Sequence, residues 1–116
     1  MTFQEAFDFA SRRDESGRIC AKFPGRVPVV VERSRSSPSL PPVDKPKFLA
    51  PKELTVGQFL FVVKRRLKLS SEQAMYLLAN DKTLLNASAT MCAAFEQHRN
   101  DDGFLYVTYA IENTFG

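Results

Sequence analysis

The sequence predicts an α+β domain of the grasp type, a small mixed sheet packed on helices. Three observations predict it. Two helical stretches come before the first β-branched run, at residues 26–33. Extended and helical segments then alternate through the rest of the chain. The last strand, 104–111, is apolar on both alternating faces, which places it in the centre of a sheet. The 116 residues amount to one domain. A chain of that length buries roughly two-thirds of its unfolded surface without staples.

Thr2-Phe3-Gln4-Glu5 is a capping-box pattern, and Phe3, Phe7 and Ala10 follow at helical spacing. They predict a short amphipathic helix running to Ala10. A second short helix is expected over 12–22, ended by Phe23-Pro24-Gly25. Arg26-Val27-Pro28-Val29-Val30-Val31-Glu32-Arg33 reads as a strand. Pro28 donates nothing to a ladder, so its amide side should not face a central neighbour. Residues 34–42 hold four serines and three prolines and read as a loop, free to move. Pro46-Lys47-Phe48-Leu49-Ala50-Pro51, fenced by prolines, suits a short edge strand.

Leu54-Thr55-Val56-Gly57-Gln58-Phe59 is the best local signal in the chain. Thr55 caps, Gln58 completes the capping box, and Leu54 and Phe59 stand at the two positions of a hydrophobic staple. Val56, Phe59, Leu60, Val63 and Leu67 keep helical spacing. Lys64, Arg65, Arg66 and Lys68 sit at the end that suits cations. Residues 74–79 predict a buried strand, 88–99 a helix and Asp101-Asp102-Gly103 a turn.

Composition excludes several classes. With 44% apolar and 25% charged residues the chain has ordinary globular proportions. No apolar run approaches the ~20 residues of a membrane span. The start, Met1-Thr2-Phe3-Gln4-Glu5, lacks the pattern of a signal peptide. Cys20 and Cys92 then read as free thiols in a reducing, cytoplasmic setting. One histidine and two distant cysteines are too few for a zinc site, and no cofactor is expected. The net charge of +3 is uneven. Residues 34–70 carry eight basic and two acidic side chains; residues 71–116 carry two and six. That field suits an acidic peptide or an anionic lipid headgroup, or is simply a solvated basic face; nucleic acid fits less well, since no binding motif is present.

No enzyme site emerges. Cys92 and His98 lie six residues apart, about 240° around a helix axis, so they do not form a nucleophile–base pair. Asp101 and Asp102 belong to a turn, and the five glycines are too scattered for a phosphate loop.

The segments 26–32, 47–51, 54–59 and 102–109, with the final Phe115-Gly116, closely resemble the autophagy ubiquitin-like modifiers. This is the family of GABARAP and of the light chain of microtubule-associated protein. The resemblance runs from about Phe7 to Gly116. It implies a ubiquitin-like β-grasp with two additional N-terminal helices: a helical extension over 1–24, a ubiquitin-like domain over 25–112 and a conjugation tail over 113–116. It implies that Gly116 is activated, passed through a conjugating enzyme and joined to phosphatidylethanolamine. A cysteine protease would serve in processing or delipidation. The protein would be cytoplasmic, and on the autophagosome membrane when lipidated.

The resemblance also implies docking of receptors and adaptors that carry an aromatic-x-x-aliphatic motif, by strand addition at the proline-fenced edge. Glu15, Ile19, Pro28, Lys47, Leu49 and Phe104 match the aromatic pocket. Phe48, Pro51, Leu54, Phe59 and Val62 match the aliphatic one, and Leu49 is expected to border both. Arg26, Lys45, Lys47 and Arg66 match the cations that meet an acidic flank. Plain alternatives stay open: Leu54 and Phe59 as staple, Ile19 and Phe104 as core. A peptide-binding module without conjugation is the other reading. Ala50, Leu85-Asn86 and the 34–42 loop depart from the family pattern.

Overall fold

The computed structural model of the chain describes residues 1–70 and 72–111. Five strands form one sheet: β1 (Arg26–Arg33), β2 (Lys47–Pro51), β3 (Met75–Ala79), β4 (Thr83–Leu84) and β5 (Leu105–Ile111). Their order is β2-β1-β5-β3-β4. The pair β1–β5 is parallel and the other pairings are antiparallel. As its two apolar faces require, β5 is central, and β2 is an edge. The remaining elements are α1 (Phe3–Ala6), α2 (Phe9–Lys22), α3 (Val56–Arg66) and α4 (Met91–His98).

The alternation of β1 divides the molecule into layers. Val27, Val29 and Val31 face α3 and α4, joining Phe59, Val63, Met91, Leu105, Val107 and Tyr109 in the main core. Val30 faces the other way and packs with Phe3, Phe104 and Tyr106 under α1 and α2. Pro28 is opposite Leu49 on β2, and the parallel pairing with β5 begins only at Val29. The missing amide therefore falls outside the ladder, as expected.

Four local readings need correction. The first helix does not reach Ala10. Phe7 caps it, and Asp8 starts a new helix by accepting from the Ser11 amide at 2.8 Å. An Asx cap overrides the Phe3/Phe7/Ala10 spacing. The last helix starts at Met91, not Ser88, because Thr90 caps it while Asn86 holds Ser88 in a turn. The strand β4 had no sequence signal; it follows a tight turn in which Asn80 and Asp81 both take positive φ, 55° and 56°. Two consecutive left-handed residues match the twist of the flanking strands, and the Lys82 amide closes the turn on the Ala79 carbonyl at 3.1 Å. Finally, the 34–42 loop is pinned. Arg33 donates to the Leu40 carbonyl at 2.8 Å, the Tyr109 hydroxyl to the Pro41 carbonyl at 2.6 Å, and the Ile111 amide to Ser37 Oγ at 3.2 Å.

Candidate functional site

The site is built on β2. Its hydrogen bonds fix which backbone groups are spoken for. Val31 donates to Pro46 and Lys52 to Gly25, so residues 46, 48, 50 and 52 turn their polar groups toward β1. Lys47, Leu49 and Pro51 turn theirs outward, away from the sheet. Among the described residues no strand pairs with β2 on that side.

Side chains alternate in step. Leu49 pairs with Pro28 and Lys47 with Val30, so both face α2. Phe48 pairs with Val29 and packs against the α3 side. The predicted aromatic-pocket residues Glu15, Ile19, Pro28, Lys47, Leu49 and Phe104 are therefore gathered on one face. Phe48, Leu54, Phe59 and Val62 are gathered on the other. Leu49 does not border both pockets: period-two alternation commits its side chain to the α2 face. Pro51, at the end of β2, has the parity of Leu49 rather than of Phe48.

On the α2 face, an ion pair joins Lys47 Nζ to Glu15 and so spans from strand to helix. Pro28 and Phe104 are buried beneath it, and Ile19 is half-buried. Phe104 is 0% exposed and packs edge-on to Phe3 at 5.4 Å, so it is part of the core beneath that face. On the α3 face, Thr55 and Gln58 form the expected capping box, which sets the angle at which α3 leaves β2. Phe59 is buried in the core, and Leu54 packs against that cluster. The Phe48 ring meets Phe59 edge-on at 5.6 Å, and the Arg66 guanidinium lies over Phe48 at 4.9 Å. Val62 is 40% exposed, an apolar side chain left open beside that stack. Arg26, Lys45 and Lys47 are all exposed around the edge. Gly116 lies outside the described residues.

A further set of residues escaped sequence reasoning. Asp102 is fully buried, accepts from the Tyr106 hydroxyl and the Phe104 amide at 2.9 Å, and forms an ion pair with Arg12 at 3.5 Å. Ser16 of α2 donates to the Asp102 carbonyl. These bonds hold α2 against the sheet and so place Glu15 and Ile19. Only the Asp-Gly turn signal pointed near them. Burial first, then the Asp102 carboxylate, pushes the Tyr106 phenol above its usual range. Cys92 donates to Glu96 at 3.5 Å, and burial followed by that carboxylate raises its thiol, the opposite of an activated nucleophile. Among the described residues no cluster of metal-type ligands gathers, and no helix is long and apolar enough to cross a membrane.

Residues 11–116 match the family model described as "Autophagy protein Atg8 ubiquitin like". The chain is 48% identical over 115 residues to autophagy-related protein 8 of Eremothecium gossypii, covering 99% of this chain and 94% of the relative. It is 46% identical over 114 residues to human microtubule-associated protein 1 light chain 3 gamma, covering 98% of this chain and 78% of that protein. The crystal structure of Trypanosoma brucei ATG8 superposes with a TM-score of 0.91 at 35% identity, over 100% of this chain and 98% of that one.

Proposed function

The chain belongs to the Atg8 family of autophagy ubiquitin-like proteins, and from that premise we propose that it is a conjugated modifier that docks receptors through β2. Gly116 is joined to the amine of phosphatidylethanolamine by an activating and a conjugating enzyme. A cysteine protease processes or releases it. The protein then moves between cytoplasm and autophagosome membrane, acting as the substrate of these steps rather than as a catalyst. The two acyl chains of a phospholipid give firm anchoring at ~0.8 kcal/mol per buried methylene, where one chain would hold only marginally. The family match extends through Gly116, which supports the assignment of that residue.

The observation that carries the docking half is the relation between edge and pockets. An added strand has its side chains i and i+3 on opposite faces. An aromatic-x-x-aliphatic motif laid along β2 sends its aromatic residue toward α2 and its aliphatic residue toward α3. The apolar groups lie on those two faces, one set each. The cations around the edge suit acidic flanks.

Reconstitution tests the whole reading. Purified activating and conjugating enzymes, ATP and vesicles containing phosphatidylethanolamine should yield a lipid adduct of the wild-type chain, and Gly116→Ala should yield none while still binding peptide. Peptide binding by a wild-type chain that forms no adduct would favour a docking module without conjugation.

A further inference from the structure

Arg26 stands on β1 opposite Pro51, on the same face as Leu49. Its guanidinium donates from Nη1 to the Leu49 carbonyl at 3.1 Å. That carbonyl is one of the few outward groups of the β2 edge. Pro51 has no amide to offer, so Lys47 and Leu49 supply the edge's outward N–H groups, and both their carbonyls also point out. One of those two acceptors is already taken by a side chain of the protein itself. Among the described residues no carboxylate forms an ion pair with Arg26, and the residue is exposed.

We propose that Arg26 is a specificity-determining residue of the edge: it caps the Leu49 carbonyl in the free protein and gives it up to strands that bring a carboxylate. The proposal rests on the reading of β2 as a docking strand. An incoming strand needs the Leu49 carbonyl for one of its amides. A neutral strand must send the guanidinium back to water with nothing in exchange. A strand with an acidic flank offers it a charge-assisted partner, which is the stronger bond. The other cations act differently. Lys47 is paired with Glu15, Arg66 is stacked on Phe48, and the Lys45 side chain has no described bond to an outward backbone group of β2. They attract acid at a distance, whereas Arg26 competes with the strand itself. The same cap also blunts an open edge against pairing with wrong chains.

Two peptides with one aromatic-x-x-Leu core, one flanked by Gln and one by Glu, are titrated calorimetrically into wild type, Arg26→Met and Lys45→Met. Methionine keeps the apolar stem without the donor. Arg26→Met should bind the Gln-flanked peptide about three- to tenfold tighter than wild type, the worth of one hydrogen bond. Its preference for the Glu-flanked peptide should shrink by a similar factor. Lys45→Met should weaken the Glu-flanked peptide alone. In the peptide-free protein, the carbonyl 13C resonance of Leu49 should move in Arg26→Met. Wild-type binding of both peptides with no gain for Arg26→Met, or an unmoved Leu49 carbonyl resonance, overturns the cap and leaves the docking strand standing. Wild type binding neither peptide overturns the docking strand, and the cap with it.

Discussion

The Ser16 hydroxyl donates to the backbone carbonyl of Asp102, 86 residues away, in a contact closed to solvent. Through it one turn of α2 is fastened to the loop that enters β5. The neighbouring Gly103 takes φ +91°, and a Cβ there would stand 2.3 Å from Ser16 Oγ. The fastening therefore depends on a backbone form and a gap that glycine alone supplies.

Gly103→Ala should accordingly destabilise the fold by about 2 kcal/mol or more, combining backbone strain with the clash. Chemical denaturation measures it. Ser16→Ala removes the nearest atom, so the double variant should lose less than the two single losses added together. Strict additivity would show that the two residues do not meet.

Alkaline pH should unmake the same region. Burial raises the phenols of both Tyr106 and Tyr109 above the ordinary value of 10.0. The fold thus favours their neutral forms. That contribution is complete below about pH 10 and is lost as pH climbs toward the raised values. Stability followed by circular dichroism should fall above about pH 10. In Tyr106→Phe the fall should be shallower. An equal slope in that variant would remove Tyr106 from the account.

Lys68 closes α3 with φ 59°, a left-handed position that costs a non-glycine residue about 1–3 kcal/mol. The Leu69 amide reaches back to the Lys64 carbonyl at 3.0 Å, so the terminus is well formed around that residue. Lys68→Gly should raise stability by about 0.5–1 kcal/mol once the greater freedom of glycine in the unfolded chain is deducted. Thermal melts at fixed pH are sufficient to read the gain.

The opposite-face relation of the two pockets predicts a spacing rule. A peptide with the motif aromatic-x-x-Leu should bind, and aromatic-x-Leu, with both side chains on one face, should bind at least about tenfold more weakly, since a single buried Leu is worth 1.5–3 kcal/mol. Leu49→Ala should weaken the first peptide through its aromatic residue, because Leu49 lies on the α2 face. Calorimetry with both peptides and a Trp-to-Ala peptide control separates the two contributions.

Much of this architecture was legible beforehand because its signals are local. Thr55 and Gln58 announce the start of α3 within four residues, and the prolines around 46–51 announce an edge. What was illegible depends on distant partners or on competition between two local signals. Asp8 and the Phe3/Phe7/Ala10 spacing argue for different helix starts, and the cap prevails. Nothing near Pro41 shows that the Tyr109 hydroxyl will hold it. Strand β4 has two residues, too few for any periodicity. The edge segment and its aromatic and aliphatic residues were readable from the resemblance. Their division between two faces required the β1–β2 register, as did the bond from Arg26 to Leu49.

Backbone-amide NMR reads directly whether β2 is the docking strand. A 15N-labelled chain is titrated with an acidic-flanked aromatic-x-x-Leu peptide. The largest shifts are expected at Lys47 and Leu49, with Ile19 on α2 and Val62 on α3 moving together, and slowed amide exchange at the two β2 positions. Shifts centred on Thr83 and Leu84 at the opposite edge, with Lys47 and Leu49 unmoved, would contradict it.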